Sequence, residues 1–121
     1  MNARRHLVAD LNDKLRKNLA MGKIEISLSH KVKNSEFRAE IIKAVRNFSS
    51  FDSEIDFNND HSIGMVIVEQ DAYLFRFNYL DDRYDYASEI GRRSLEICHS
   101  SEFNSVKLKK TITDKISASS I

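Results

Sequence analysis

Apolar residues recur through the first twenty positions at intervals of three and four: Leu7, Val8, Leu11, Leu15 and Leu19, with charged residues between them. That spacing puts them on one face of a helix over residues 3–20. Asn2 can supply an N-cap oxygen, and Gly22 stands where a left-handed C-terminal cap favours glycine. The rhythm then changes, because Lys23-Ile24-Glu25-Ile26-Ser27-Leu28-Ser29 alternates polar and apolar strictly. Alternation predicts a strand with Ile24, Ile26 and Leu28 on a single buried face. After a basic connector, His30-Lys31-Val32-Lys33, Asn34 is a candidate N-cap for a second helix. Its stripe is Phe37, Ile41, Val45 and Phe48, with Ala44 beside it.

Residues 49–62 are acidic and rich in Ser, Asn and Asp, the composition of a loop. Phe51, Ile55 and Phe57 within it predict that the loop packs down on the domain. Residues 63–68 and 72–80 are rich in β-branched and aromatic side chains, and Glu69-Gln70-Asp71 between them predicts an antiparallel hairpin. In its second strand Tyr73, Phe75, Phe77 and Tyr79 share one face, and Leu74, Arg76, Asn78 and Leu80 the other. The aromatic face is expected to meet the helices. Residues 86–101 read as a third helix on Ile90, Leu95, Ile97 and Cys98, with Gly91 counting against it. Residues 105–121 carry two competing periods: Val106 and Leu108 alternate like a strand, while Leu108, Ile112 and Ile116 repeat every four residues like a helix. The sum is an α+β domain of order α-β-α-β-β-α, a small antiparallel or mixed sheet of about three strands with helices on one face. Residues 1–103 form the single domain, and 104–121 a tail with the character of a short helix or an edge strand.

A length of 121 residues suits one core, and 41% hydrophobic composition with seven Phe and four Tyr fills it without disulfide staples. Cys98 is the single cysteine, so no internal disulfide and no thiolate-rich metal cluster can form within one chain. No apolar run reaches the roughly 20 residues that span a bilayer, and Met1-Asn2-Ala3-Arg4-Arg5-His6 leads into no apolar signal segment. The expectation is a cytoplasmic protein. The net charge of +1 conceals a segregated pattern. Residues 1–50 carry 11 Lys/Arg against 5 Asp/Glu, residues 51–90 carry 2 against 10, and residues 91–121 carry 6 against 3. An acidic middle between basic ends makes a dipolar surface that steers a charged partner, or else the two signs pair on folding. It is not the uniformly basic balance of a nucleic-acid binder, and the cations Arg4, Arg5, Lys14, Arg16 and Lys17 lack interleaved aromatics.

Among four histidines, His6 and His30 sit among cations, and His99 adjoins Cys98 at a spacing that does not chelate one metal on a helix. His61 lies beside Asp60 at the end of the acidic loop. There it either orders the loop through hydrogen bonds or acts as a general base, oriented by Asp60 or Asp56 with Arg76 stabilising an anion. Asp52, Glu54, Asp56, Asn58 and Asp60 alternate oxygen ligands like a calcium loop, yet lack the central glycine and the terminal glutamate. No metal and no cofactor is expected. Asp81, Asp82 and Asp85 with Tyr84 and Tyr86 form an acidic, aromatic cluster whose composition fits a protein interface, or simply a solvated helix entry. Phosphate-cradling glycine loops, nucleophile elbows and zinc-helix motifs are absent from the sequence.

Leu11-Asn12-Asp13-Lys14-Leu15-Arg16-Lys17, Ala44-Val45-Arg46-Asn47-Phe48 and Phe51-Asp52 together resemble segments of the domain of unknown function 3768 family. The strongest carrier is Asn59-Asp60-His61-Ser62-Ile63-Gly64, which is similar to a family run ending in His-Asp-Phe-Gly. Arg76-Phe77-Asn78-Tyr79-Leu80 with Asp81, and Arg93, Leu95, Ile97, Glu102 and Phe103, resemble later family segments. Ser62 and Asn78 stand where the family usually has aspartates, which favours a structural histidine over a catalytic one. The resemblance implies a proteobacterial, mobile-element setting. By analogy it implies a non-catalytic protein-binding module, such as an anti-CRISPR or anti-restriction inhibitor of a host defence nuclease complex. Asp56, Asp60, His61, Arg76, Asp81, Asp82, Tyr84 and Asp85 are the expected contact residues against a basic partner surface. A small hydrolase or nuclease using His61, and a homodimeric accessory protein joined through the sheet edge or the tail, are the alternatives.

Overall fold

The computed structural model of the chain describes residues 3–18, 24–79 and 93–103. Helix α1 runs Ala3–Lys17. Its buried face is Val8, Leu11, Asn12 and Arg16, with Leu15 packed against the core, whereas Leu7 is turned outward. The apolar stripe is thus rotated from the expected one, and two polar residues complete it. Strand β1, Glu25–Leu28, follows. Where a connector was expected, His30–Lys33 forms a one-turn helix, α2, whose Val32 N–H is accepted by the hydroxyl of Ser29. Asn34 closes α2 as its C-cap rather than opening the next helix. Helix α3, Arg38–Arg46, begins after Phe37 and buries Ile41 and Val45.

Strands β2 (Ile63–Val68), β3 (Asp71–Tyr79) and β4 (Arg93–His99) complete a four-stranded mixed sheet of order β1-β4-β3-β2. The hairpin pairs as its sequence predicts, with Gly64 opposite Phe75 and Val66 opposite Tyr73. Its turn residues Glu69 and Gln70 both adopt positive φ, 51° and 70°. Paired left-handed residues match the right-handed twist of the flanking strands, so this turn holds the register. β4 lies antiparallel to β3 and parallel to β1.

β4 corrects the expected third helix. Arg93, Leu95 and Ile97 are buried on one face while Ser94 and Glu96 alternate with them, a period of two that shows in the burial pattern. Ile90 and Gly91, which shaped the helical reading, fall outside the described residues, as do Leu80, Gly22, Leu19, Asn2 and the whole of 104–121.

The α+β class and the helices on the aromatic face stand, with four strands in place of about three. Tyr73, Phe75, Phe77, Leu95 and Ile97 from the sheet meet Val32, Ile41 and Val45 from the helices in one core. On the opposite face a smaller cluster gathers Ile55, Ile63, Ala72, Leu74 and Cys98, with Met65 and Phe103 against it. The loop 49–62 clasps the sheet by inserting Ile55 there and Phe51 into the helix side, while Phe57 stays 56% exposed. Gly64 is required by packing: a Cβ there would lie 2.6 Å from the Phe75 ring and 2.8 Å from that of Phe48. Phe48, Phe51 and Phe75 meet edge to face around it, with centroids 4.8–6.0 Å apart.

Candidate functional site

His61 ends the loop just before β2 with φ of 57°, a left-handed value that costs a β-carbon-bearing residue conformational energy. Three contacts hold it there. Its backbone N–H donates to Asp56 Oδ2 at 2.9 Å, its ring stacks on Phe51 with centroids 4.0 Å apart, and Nδ1 meets both oxygens of Asp13 at 2.9 and 3.0 Å. Asp13 is held in turn by Arg16 Nη1 at 3.0 Å. Arg16 is fully buried, and it also donates Nε to Val45 O at 2.9 Å and Nη2 to Phe48 O at 2.6 Å. The two carbonyls belong to the last turn of α3 and the chain just beyond it, where unpaired C=O groups accumulate. The guanidinium carbon lies 5.1 Å from the Phe51 ring centre and 5.3 Å from that of Phe75. Burial lowers the pKa of Arg16, opposed by its bond to Asp13 and the charge of that carboxylate.

A second buried set lies alongside. Asn12 Nδ2 donates to Asp60 O and to the Tyr79 hydroxyl, both at 2.9 Å. Arg93 Nη1 donates to Asn12 Oδ1, and its guanidinium stacks 5.2 Å from the Tyr79 ring centre. The Tyr79 hydroxyl donates to Asp60 Oδ2 at 3.2 Å, and burial pushes the Tyr79 pKa up to about 12. Burial also raises the pKa of Asp56, opposed by the His61 N–H and reinforced by the charge of Asp60. Asp56 Oδ1 is buried without a hydrogen-bond partner among the described residues. The neighbouring charge adds to burial because two adjacent carboxylates resist ionising together.

On the outer face of the sheet a cleft of about 470 Å³ is lined by Ser27, Ser29, Arg76, Glu96, Cys98, Glu102 and Phe103. Arg76 Nη2 pairs with Glu96 Oε1 at 2.8 Å and its guanidinium lies 5.4 Å from the centre of the Phe103 ring. Glu102 accepts from the Ser29 hydroxyl at 2.6 Å, His99 N–H at 2.8 Å and Lys31 N–H at 3.2 Å. Desolvation works to raise the Glu102 pKa, but these donors outweigh it and the net shift is downward. Burial pushes the Cys98 thiol up to about 11, which leaves it inert as a nucleophile.

The expected site residues therefore separate. His61 takes its carboxylate from Asp13, not from Asp60 or Asp56, so the orienting role expected of those two is corrected. Asp56 and Asp60 are 1% and 9% exposed and face inward, where they cannot meet a partner. Arg76 sits on the outer face, across the sheet from His61, because adjacent strand positions point oppositely. It cannot stabilise an anion at His61. Asp81, Asp82, Tyr84, Asp85 and Tyr86 fall outside the described residues. Ser62 is buried and Asn78 lies opposite Ser94 on the outer face, so the two departures from the family pattern do not share one site. Sequence reading missed Asn12, Asp13, Arg16, Tyr79 and Arg93 as a connected set. The available signal was Val8, Asn12 and Arg16, spaced by four along α1. Among the described residues no group of three His, Cys, Asp or Glu is placed to hold a metal ion, and no helix is long and apolar enough to cross a membrane.

These features define a small α+β domain in which a clasping loop is locked to a mixed sheet by buried arginines. Residues 12–98 match the family model described as a protein of unknown function, DUF3768, and the chain belongs to that family. No curated protein and no solved structure matches the chain. The matched span begins at Asn12 and includes every residue named in the two buried sets.

Proposed function

We propose that the chain is a non-catalytic module that binds a protein partner with a basic surface. The observation that carries this reading is the outer-face cleft, where two carboxylates and two hydroxyls surround one guanidinium and an aromatic ring. Glu96 spends only Oε1 on Arg76 among the described residues, which leaves Oε2 for an incoming Lys or Arg side chain. Charge-assisted pairing beside an aromatic wall is a common anchor at protein interfaces. The acidic stretch 51–90 adds long-range attraction that accelerates encounter. The mobile-element setting that the family resemblance implies makes the partner a host defence nuclease complex, inhibited by stoichiometric binding. Capture of partners from host extract by the tagged chain, at low and at high salt, tests the reading. Capture should weaken with salt and with Glu96→Lys; capture indifferent to both rejects it.

A second reading, a small hydrolase or nuclease, has one observation in its favour. Asp13 holds Nδ1 of His61 and leaves Nε2 without a partner among the described residues, as in an oriented general base. His61→Ala should then abolish turnover of a phosphodiester or ester substrate while the far-ultraviolet circular dichroism is retained.

A further inference from the structure

The two edges of the sheet are protected unequally. β1 is four residues long, carries Glu25, and is preceded by Lys23, so it has the brevity and charge with which natural sheets discourage pairing. β2, Ile63–Val68, is six residues of Ile, Gly, Met and Val, without charge or proline. Among the described residues it pairs only with β3.

The register identifies which of its backbone groups face outward. Phe77 N–H donates to Ser62 O at 2.7 Å, so Ser62 and Phe77 are a hydrogen-bonded pair. Such pairs alternate along an antiparallel ladder. Gly64, Val66 and Val68 therefore point their N–H and C=O groups at β3, and Ile63, Met65 and Ile67 point theirs away. The side chains of those same three residues lie on the outer face, where Ile67 is 45% exposed.

We propose that β2 is a homodimerisation edge, pairing antiparallel with β2 of a second copy about a two-fold axis at Met65. Rotation about that axis sets Met65 across from Met65 and Ile63 across from Ile67. Each outward N–H then meets an outward carbonyl, and the two sheets join into one of eight strands. The occupant is a second copy because the strand is complementary to itself. An identical charged strand would repel its copy, and this one has no charge to oppose. Pairing also brings a neighbouring strand alongside Ile67, the most exposed apolar side chain of the sheet. The cleft lies over β1, β4 and β3 and is lined by no β2 residue, so one dimer presents two clefts.

Sedimentation velocity of the whole chain at tens of micromolar tests this. The expected species has twice the 14.0 kDa chain mass. Ile67→Lys, at an exposed position, should return it to a single chain with unchanged circular dichroism. Met65→Cys should form an intermolecular disulfide on mild oxidation, because opposed residues of a hydrogen-bonded pair lie about 5.5 Å apart at Cα, within disulfide reach. The native Cys98 thiol is buried and does not compete. A wild-type chain that sediments as a monomer, a dimer that survives Ile67→Lys, or a Met65→Cys chain that does not cross-link would each overturn the proposal.

Discussion

On the helix-covered face of the sheet, Arg16 and Arg93 are 0% and 3% exposed, and their guanidinium groups reach named acceptors and aromatic rings. On the outer face, Arg76 is 43% exposed and its partner Glu96 36%. The same residue type thus serves two ends. A buried arginine joins several segments at once: Arg16 ties α1 to the end of α3, to the loop and, through Asp13, to His61. An exposed ion pair contributes little to stability, about 0 to 1 kcal/mol, because water screens it and competes for both groups. Its groups stay available for exchange with a partner. The inner charges hold the architecture, and the outer ones are accessible for the recognition proposed above.

The largest test of that division is Arg16→Met, which removes the guanidinium donor from Asp13 and from the carbonyls of Val45 and Phe48. Orphaning a buried pair costs about 3 to 5 kcal/mol, read as a lower urea midpoint, and an unchanged midpoint would break the comparison at its stronger side. Gly64→Ala comes next. Its Cβ would enter the Phe48 and Phe75 rings, an overpacking cost of about 1 to 3 kcal/mol.

Glu102→Gln should cost about 0.5 to 1.5 kcal/mol at neutral pH, the net contribution of an ordinary hydrogen bond, because solvent screens this partly exposed carboxylate. Because the folded pKa of Glu102 lies below its unfolded value, the carboxylate stabilises above the unfolded value and that contribution fades as pH falls through the folded one. The variant and the wild type should therefore converge in acid. Asp56→Asn should act in the opposite direction. A raised folded pKa means stability that is full below the unfolded value and lost as pH rises through the folded one. The amide keeps an acceptor for His61 N–H and removes the charge, so the variant should match or exceed the wild type at neutral pH and flatten the stability profile. Smallest of all, Glu96→Gln should move the unfolding midpoint by less than about 0.5 kcal/mol while weakening partner capture.

Elements with a long, single period were legible in the sequence. The stripe of α3 and the alternation of β3 with its aromatic face could be read directly, and so could the hairpin, although Asp71 of its expected turn Glu69-Gln70-Asp71 belongs to β3. The helix α2 was not, because one turn rich in cations has the composition of a connector, and it exists through the Ser29 cap and the Glu102 carboxylate. β4 was misread because Leu95 and Ile97 alternate too briefly to outweigh Ile90 and Cys98, and only pairing with β1 and β3 decides it. The buried network was least legible. A sequence pattern sorts arginine outward by default, and nothing local shows that Arg16 and Arg93 turn inward toward partners dozens of residues away. His61 stood out by its acidic surroundings, yet its actual partner came from α1.

The parallel pairing of β1 with β4 sets a condition on synthesis. Glu25 finds its neighbour only in Ser94, and among the described residues β1 has no other strand to join. During translation the early segment must wait, with Ile24 and Leu28 uncovered, until residues through His99 have cleared the ribosome. The late arrival of one strand delays closure of the sheet until β4 is available, so the parallel pair is the last part of the ladder to form.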